Sequence, residues 1–427
     1  MHSKLKLSTV LLSGAAFASA LYGQSGDMPS AEEMWKIIQQ QQKQIEALQA
    51  KLDENSAADA STKSDVAKTQ SDLKETREQL DMTADAVDRS LTPGVETEGK
   101  GWSQRTTIGA YGELHANFYS NAQNSIDFHR FVLMVNHDFN ENIHLFTEVE
   151  LEHALAGSGK PGEVELEQAF VEFDIGDQAY ADVGLFLMPV VGLNLYHEPT
   201  TFYGVERNGV DSRIIPTTWW EAGGQGGYRF DNGISLVGSV TSGLDVNPAT
   251  GNIRSGRQKV ANAAFDDVAF AGMVTYTGTP GLNLGASVFV QDDMAQTYNG
   301  RLSGVLTGLY GSYTWEGFTI KGEYARWDLW GNSALPSTAK EQWGTYIEPS
   351  YRFKIDDTFG DLGFFYRFSY YEYQSNATFF SKNTVQSVGF NYWPIDDVVL
   401  KAEYQYTGEA DDFAGDNVIS LGFGFVF

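Results

Sequence analysis

The chain has 427 residues with no cysteine, 44 glycines, 13% aromatic residues and a formal charge of −27. Without cysteine there can be no disulfide, thiolate metal site or cysteine nucleophile, and the acidity argues against a nucleic-acid partner, which needs a basic face. No segment approaches the ~18 uninterrupted apolar residues of a membrane-spanning helix, so a helical membrane protein is excluded.

Residues 1–20 read as a signal peptide. Lys4 and Lys6 precede an apolar run from Leu7 to Phe17, and Ala18-Ser19-Ala20 fits the small-residue cleavage rule. After a short leader, 21–30, a heptad runs through 31–90. Ile38, Ile45, Leu52, Asp59, Val66, Leu73, Leu80 and Val87 occupy position a, and mostly polar residues such as Gln41, Asn55, Thr62 and Thr69 occupy position d. This predicts one continuous parallel coiled coil, roughly 90 Å long at ~1.5 Å per residue, placed in the periplasm. An extended acidic linker is the alternative. Thr92-Pro93-Gly94 ends the helix, and 91–104 forms a linker.

From Thr106 the apolar period becomes two. Sixteen strands are expected: Thr106–Tyr119, Ile126–Asp138, Ile143–Ala154, Glu163–Ile175, Ala179–Met188, Trp219–Phe230, Ile234–Leu244, Val268–Thr277, Leu282–Gln291, Gly304–Trp315, Phe318–Asp328, Trp343–Lys354, Leu362–Tyr373, Thr384–Trp393, Val398–Thr407 and Asn417–Phe427. Their connections alternate short and long, the pattern of an all-β transmembrane barrel of about 16 antiparallel strands spanning 105–427. In the last strand Ile419, Leu421, Phe423, Phe425 and Phe427 share one face and alternate with Ser420, Gly422 and Gly424. Apolar side chains outward to lipid and polar ones inward to water is the arrangement a bilayer tolerates. A soluble all-β sandwich is the alternative with the same alternation.

The longest connection, Leu187 to Trp220, is too rich in aromatic and aliphatic residues to be disordered. Its expected burial site is the barrel lumen. There His197, Glu198, Glu206, Arg207, Asp211 and Arg213 would form a charged pore constriction, unless Glu206 and Arg207 only pair with the wall to hold the loop. Gly223, Gly224, Gly226 and Gly227 are expected to let the loop approach the wall, or else only to accommodate barrel curvature. Alternation assigns Arg130, Lys321, Glu323, Glu348, Arg352, Arg367, Lys401 and Glu403 to the pore lining, and Glu148, Glu150 and Glu152 to an acidic stripe. The acidic pairs Asp266-Asp267, Asp292-Asp293 and Asp411-Asp412 read as solvated loop charge, with divalent cations bridging lipopolysaccharide as the alternative.

The terminal Phe427, with Phe425, Phe423 and Leu421 before it at two-residue steps, resembles the C-terminal insertion signal of outer-membrane barrels, which implies the barrel-assembly machinery as a partner. His197-Glu198-Pro199-Thr200-Thr201-Phe202-Tyr203-Gly204-Val205-Glu206-Arg207-Asn208 and Ile214-Ile215-Pro216-Thr217-Thr218-Trp219-Trp220 resemble porins of the phosphate-selective porin O/P family. That resemblance implies a trimeric sixteen-stranded channel, with anion selectivity from arginines and lysines in the best-known members. The charge pattern here departs from theirs.

No Gly-x-Ser-x-Gly, His-Glu-x-x-His or phosphate-cradling loop is present, so no enzyme activity, cofactor or metal is expected. The expected function is a water-filled outer-membrane porin of a Gram-negative bacterium. The alternative is a plugged barrel tethering the cell wall through its coiled coil, with peptidoglycan as partner; lipid and lipopolysaccharide would surround either. Residues 21–100 hold 16 acids and 9 bases and the first 20 hold two lysines, which leaves −22 on the barrel and its loops. That balance, with two bases against three acids in the constriction loop, predicts weak cation preference or near non-selectivity.

Overall fold

Strands with alternating faces can satisfy every backbone donor and acceptor in a bilayer only by closing on themselves. In the computed structural model they do so. Residues 101–331, 334–356, 358–408 and 417–427 are described, together with Lys36, Gln39, Gln40, Gln42, Lys43, Gln44 and Glu46, all helical. The rest of the expected signal peptide, coiled coil and linker, and Asp411-Asp412, lie outside the described residues. The chain divides into two units, Met1–Gly99 and Lys100–Phe427.

The second unit is a barrel of sixteen strands: β1 Thr106–Tyr119, β2 Ser125–Asn140, β3 Ile143–Glu152, β4 Val164–Ile175, β5 Ala179–Leu187, β6 Trp220–Arg229, β7 Ile234–Thr241, β8 Ala269–Tyr276, β9 Leu282–Gln291, β10 Leu302–Trp315, β11 Phe318–Gly331, β12 Glu341–Asp356, β13 Gly360–Gln374, β14 Phe380–Ile395, β15 Val398–Gly408 and β16 Asn417–Val426. Each pairs antiparallel with its sequence neighbours, and β1 pairs with β16 to close the ring. At the seam Ala110 and Phe427 exchange backbone hydrogen bonds of 2.9 and 2.8 Å.

Several expected boundaries move by a few residues, two of them for evident local reasons. β3 stops at Glu152 because His153 adopts φ 55°, a left-handed conformation that leaves the ladder. β14 begins at Phe380, ahead of the expected Thr384, because Phe380, Ser381 and Lys382 still pair with Gln374, Tyr373 and Glu372. The polar run Ser381-Lys382-Asn383 between Phe380 and Thr384 hides that extension from a hydrophobic pattern.

The outer surface is apolar, with Leu400, Tyr404, Ile419, Leu421, Phe423 and Phe427 exposed while Val399, Lys401, Glu403 and Ser420 are buried. Aromatics mark both ends of β11, Phe318 beside the tight turn at 316–317 and Trp330 toward the opposite rim, both exposed. Twelve residues at ~3.3 Å each, tilted by ~40°, separate these two rings by about 30 Å along the barrel axis, the thickness expected between the aromatic girdles of a membrane barrel. Seven short turns lie on one rim and the long connections, 188–219 and 242–268 above all, start from the other.

Candidate functional site

β5 ends at Leu187, and the 32 residues before β6 contain only one short helical turn, Val210–Ile214. Irregular backbone can be buried only if its polar groups find partners. Here the inner wall supplies them from several sides. Lys401 Nζ of β15 donates to the carbonyls of Phe202 and Gly204 at 3.1 and 2.8 Å. Arg367 of β13 donates to Tyr203 O at 2.6 Å, Asn391 of β14 to Phe202 O at 3.2 Å, and Arg130 of β2 to His197 O at 2.6 Å. Glu403 accepts from Val205 N at 2.8 Å. Within the loop, Asn194 ties the two ends by accepting from Trp219 N at 2.8 Å and donating to Met188 O and Trp219 O at 3.0 Å.

An apolar core sits inside the barrel beneath this network. Val190, Val191, Val210, Ile214, Ile215 and Trp219 of the loop are buried with Phe289, Leu306, Trp327 and Tyr346 of the wall. Trp219 lies 4.9 Å from Phe289 between ring centroids, and Trp327 Nε1 donates to Ile214 O at 2.9 Å. The inward faces of β9–β11 are therefore not uniformly polar, in contrast to the simple alternation rule, because the loop and not water covers them.

The glycines that admit the loop also differ from expectation. A Cβ on Gly223 would strike Val240 O at 2.1 Å, and one on Gly227 the ring of Tyr180 at 2.3 Å, so these two serve strand and wall packing. Gly224 and Gly226 have only ordinary neighbours. The loop instead approaches at Gly308, where a Cβ would lie 2.5 Å from Val191 Cγ2, and at Gly424, where it would lie 2.6 Å from Pro199 Cβ.

The charged loop residues separate into distinct environments. Asp211 is wholly buried and accepts from Leu193 N at 2.8 Å and Asn208 Nδ2 at 2.7 Å. Burial raises its pKa, and its carboxylate and that of Glu323 converge on the space a Gly192 side chain would fill. His197 is buried too, 2.9 Å from Tyr111 Oη and 3.8 Å from Glu167. Neither presents a surface to water, which corrects their expected place among lumen-facing charges. Glu198 is partly buried. Glu206 hydrogen-bonds His115 Nδ1 and Asn117 Nδ2 of β1, both at 3.0 Å, while nearly half of its side chain stays open to water. Arg207 donates to Thr218 Oγ1 at 3.1 Å, within the loop, and Arg213 is exposed.

The wall charges divide similarly. Arg130, Arg367 and Lys401 are buried under the loop, Arg130 held by Glu113 at 2.6 Å and Arg367 by Glu348 at 2.6 Å. Lys321 reaches Glu348 at 4.0 Å. Arg352 lies near the short-turn rim, bonded to Asp361 and Asp396 at 2.7 Å each. Glu148, Glu150 and Glu152 of β3 run beside Glu165 and Glu167 of β4, with Glu150 directly opposite Glu165. Like charges directly across a ladder are destabilising, and an ion pair from Lys259 to Glu165 offsets part of that repulsion. Asp267 and Asp293 are more than solvated charge. Asp267 accepts from Asp293 N, and Asp293 Oδ1 accepts from Ala295 N and Leu302 N at 3.0 and 3.1 Å.

Sequence reasoning missed Arg254 and Arg257, from the connection 242–268. Arg254 donates to Ser212 O and Thr217 O at 2.9 Å, and Arg257 to Pro216 O and Thr218 O at 3.1 and 2.5 Å. Burial first, and then Arg257, Arg213 and Arg207, push the Arg254 pKa down. A guanidinium still keeps its proton at working pH, so this cluster concentrates positive potential. Lys259 continues the line by bridging Glu163, at 2.9 Å, and Glu165. The available signal was Arg254-x-x-Arg257-x-Lys259, a basic run in an acidic barrel.

No family model matches the chain. An uncharacterized protein of Aquifex aeolicus (strain VF5) is 32% identical over 232 residues, 52% of this chain and 50% of that protein, so the chain spans about half the length of the curated relative it matches. Among solved structures, the anion-selective porin from Comamonas acidovorans aligns with a TM-score of 0.53 at 10% identity, over 75% of this chain and 100% of the porin. The outer membrane channel DcaP of Acinetobacter baumannii gives 0.51 at 13% over 77% and 99%. The trimer form of OmpT, an outer membrane protein of Vibrio cholerae, gives 0.52 at 13% over 76% and 100%. The chain has the closed sixteen-stranded fold of outer-membrane porins.

Proposed function

We propose that the protein is an outer-membrane channel for passive diffusion of small hydrophilic solutes or ions, narrowed where the segment 188–219 folds against the inner wall. The observation that carries this reading is the bonding of loop backbone 202–205 by Lys401, Arg367, Asn391 and Glu403, which holds the segment inside the ring of strands. A sixteen-stranded barrel is wide enough to keep an aqueous path beside such a loop. Arg207, Arg213, Arg254 and Arg257 on one side and the stripe of Glu148, Glu150, Glu152 and Glu165 on the other set a transverse field across that path. With Asp211 buried, the charges of the segment that water reaches are Glu198, Glu206, Arg207 and Arg213, two of each sign, and Arg254 and Arg257 of the neighbouring connection tip the local balance toward positive. Of weak cation preference and near non-selectivity, this balance favours near non-selectivity, with a lean toward anions. The apolar outer face and the porin-type fold support a homotrimer in lipid, and Leu421, Phe423, Phe425 and Phe427 on the outward face of the closing strand suit an insertion signal.

Purified protein in a planar bilayer should give discrete conductance steps. A barrel that inserts and remains electrically silent would leave the reading without support.

A further inference from the structure

Seven histidines occur in the sequence, and three of them meet on the inner face of β1–β3. The ring of His115 stacks on His129 with centroids 4.8 Å apart, and His153 meets His129 edge-on at 6.1 Å. Asp127 lies directly opposite His115 in the β1–β2 register. Its Oδ2 is 2.7 Å from His153 Nδ1 and 3.6 Å from His129 Nδ1. One donor atom from each of Asp127, His129 and His153 falls within 4.8 Å of the other two.

Two backbone irregularities make the gathering. Glu113 pairs with Arg130 but Leu114 with Phe128, so His129 is the extra residue of a bulge. That bulge keeps both His129 and Arg130 on the inner face, where plain alternation would turn one of them to lipid. His153 leaves β3 in a left-handed conformation, φ 55°, and donates from its backbone N to His129 O at 2.9 Å.

We propose that Asp127, His129 and His153 form a binding site for a divalent transition cation of the zinc class, on the channel wall toward the long-loop rim. Two imidazoles and one carboxylate are the donor set of borderline metals, whereas Mg²⁺ and Ca²⁺ favour all-oxygen sites. In a tetrahedral zinc site with ~2.1 Å bonds the donors stand about 3.4 Å apart, close to the Asp127–His129 separation, and the Asp127–His153 hydrogen bond has to lengthen by about 0.7 Å. The three side chains are between 28% and 34% exposed, so a cation can enter from the lumen and keep water or a passing solute in its open positions. The neighbourhood favours a cation. His115 faces Glu113 and Glu206 at 3.2 and 3.0 Å, and Arg130 is held by Glu113. Even with His115 and Arg130 both counted as cations, Asp127, Glu113 and Glu206 outnumber them. The other such cluster among the described residues, Glu148, Glu167 and His197, has His197 and Glu167 buried and no comparable opening.

The test uses the full chain in detergent, with Co²⁺ as an optical probe and excess Mg²⁺ to occupy carboxylate and lipid sites. One Co²⁺ per chain with a visible absorption band, displaced by Zn²⁺, is expected. Asp127→Asn and the double variant His129→Gln/His153→Gln should each weaken binding at least tenfold, while His144→Gln, near the opposite rim, should leave it unchanged. Absence of Co²⁺ uptake by the wild type, or uptake that survives both variants, overturns the proposal. If a variant does not fold, Cu²⁺ bound to the wild type should show magnetic coupling to two imidazole nitrogens, and a spectrum without nitrogen coupling overturns it equally. Binding is read without conductance, so the metal site and the channel can fail separately.

Discussion

Lys401 and Phe202 meet twice: the ammonium donates to the Phe202 carbonyl at 3.1 Å and lies 3.8 Å from the centre of the Phe202 ring. One wall cation thus fixes both the backbone and the side chain of the loop at one point, and its remaining hydrogen bond reaches Gly204 O. Lys401→Met keeps the stem and removes the donors, leaving the buried Gly204 carbonyl without this partner and the Phe202 carbonyl with Asn391 alone. A loss of about 2–4 kcal/mol is expected, read as a lower urea midpoint. On the proposed narrowing, conductance should also become larger or noisier. A variant as stable and as quiet as the wild type would show that Lys401 does not anchor the loop.

Glu206 predicts a response to acid. Burial opposes its charge, but the hydrogen bonds from His115 and Asn117 and the His115 charge outweigh that and hold its pKa at about 2. A carboxylate whose pKa is depressed by folding stabilises the folded state fully above its ordinary value of ~4.3, and the contribution fades as pH falls through the folded value. The link between the loop and β1 should therefore hold at pH 5 and weaken between about pH 4 and 2. Water reaches the side chain, so the effect is modest. Current noise that rises on acidification in the wild type and is flat in Glu206→Gln is expected; equal profiles would assign the transition elsewhere.

The strand pattern was legible because each barrel strand carries its outward face as a period of two, and Tyr404, Tyr406, Leu421 and Phe423 announce it without knowledge of any partner. The inward face was less legible. Its chemistry depends on what covers it, and nothing local to Phe289 or Trp327 says that Trp219 will pack there. The same holds for the charges. Asp211 and Arg213 look alike as loop ions, yet one is buried among hydrogen bonds and the other is exposed. Arg254 was missed because it acts on a loop 37 residues or more away in sequence.

Arg254 and Arg257 predict a change in selectivity that distinguishes lumen charge from buried charge. The double change Arg254→Gln/Arg257→Gln removes two positive charges beside Arg207 and Arg213, and reversal potentials in a salt gradient should move toward cations. Asp211→Asn removes a carboxylate that burial already holds toward its neutral form, and the potential should not move. A large shift from Asp211→Asn, or none from the arginine pair, would reverse the assignment of which side chains face the path.

Gly424 gives the most direct test that the loop rests on the wall. Gly424 faces inward on β16, and an added Cβ would lie 2.6 and 3.0 Å from Pro199 Cβ and Cγ. A pyrrolidine ring cannot rotate away, so relief requires movement of the loop backbone beside His197. Overpacking of this kind costs about 1–3 kcal/mol, and Gly424→Ala should lower the urea midpoint accordingly. Pro199→Gly alone also destabilises, because it frees the unfolded chain. The decisive quantity is the coupling between the two. If Pro199 and Gly424 touch, the double variant Gly424→Ala/Pro199→Gly recovers most of the loss from Gly424→Ala, whereas independent sites add within ~0.5 kcal/mol. Strict additivity would mean that the loop does not lie against β16 at this point, and the contacts of Lys401 and Glu403 with Phe202–Val205 would need to be reconsidered with it.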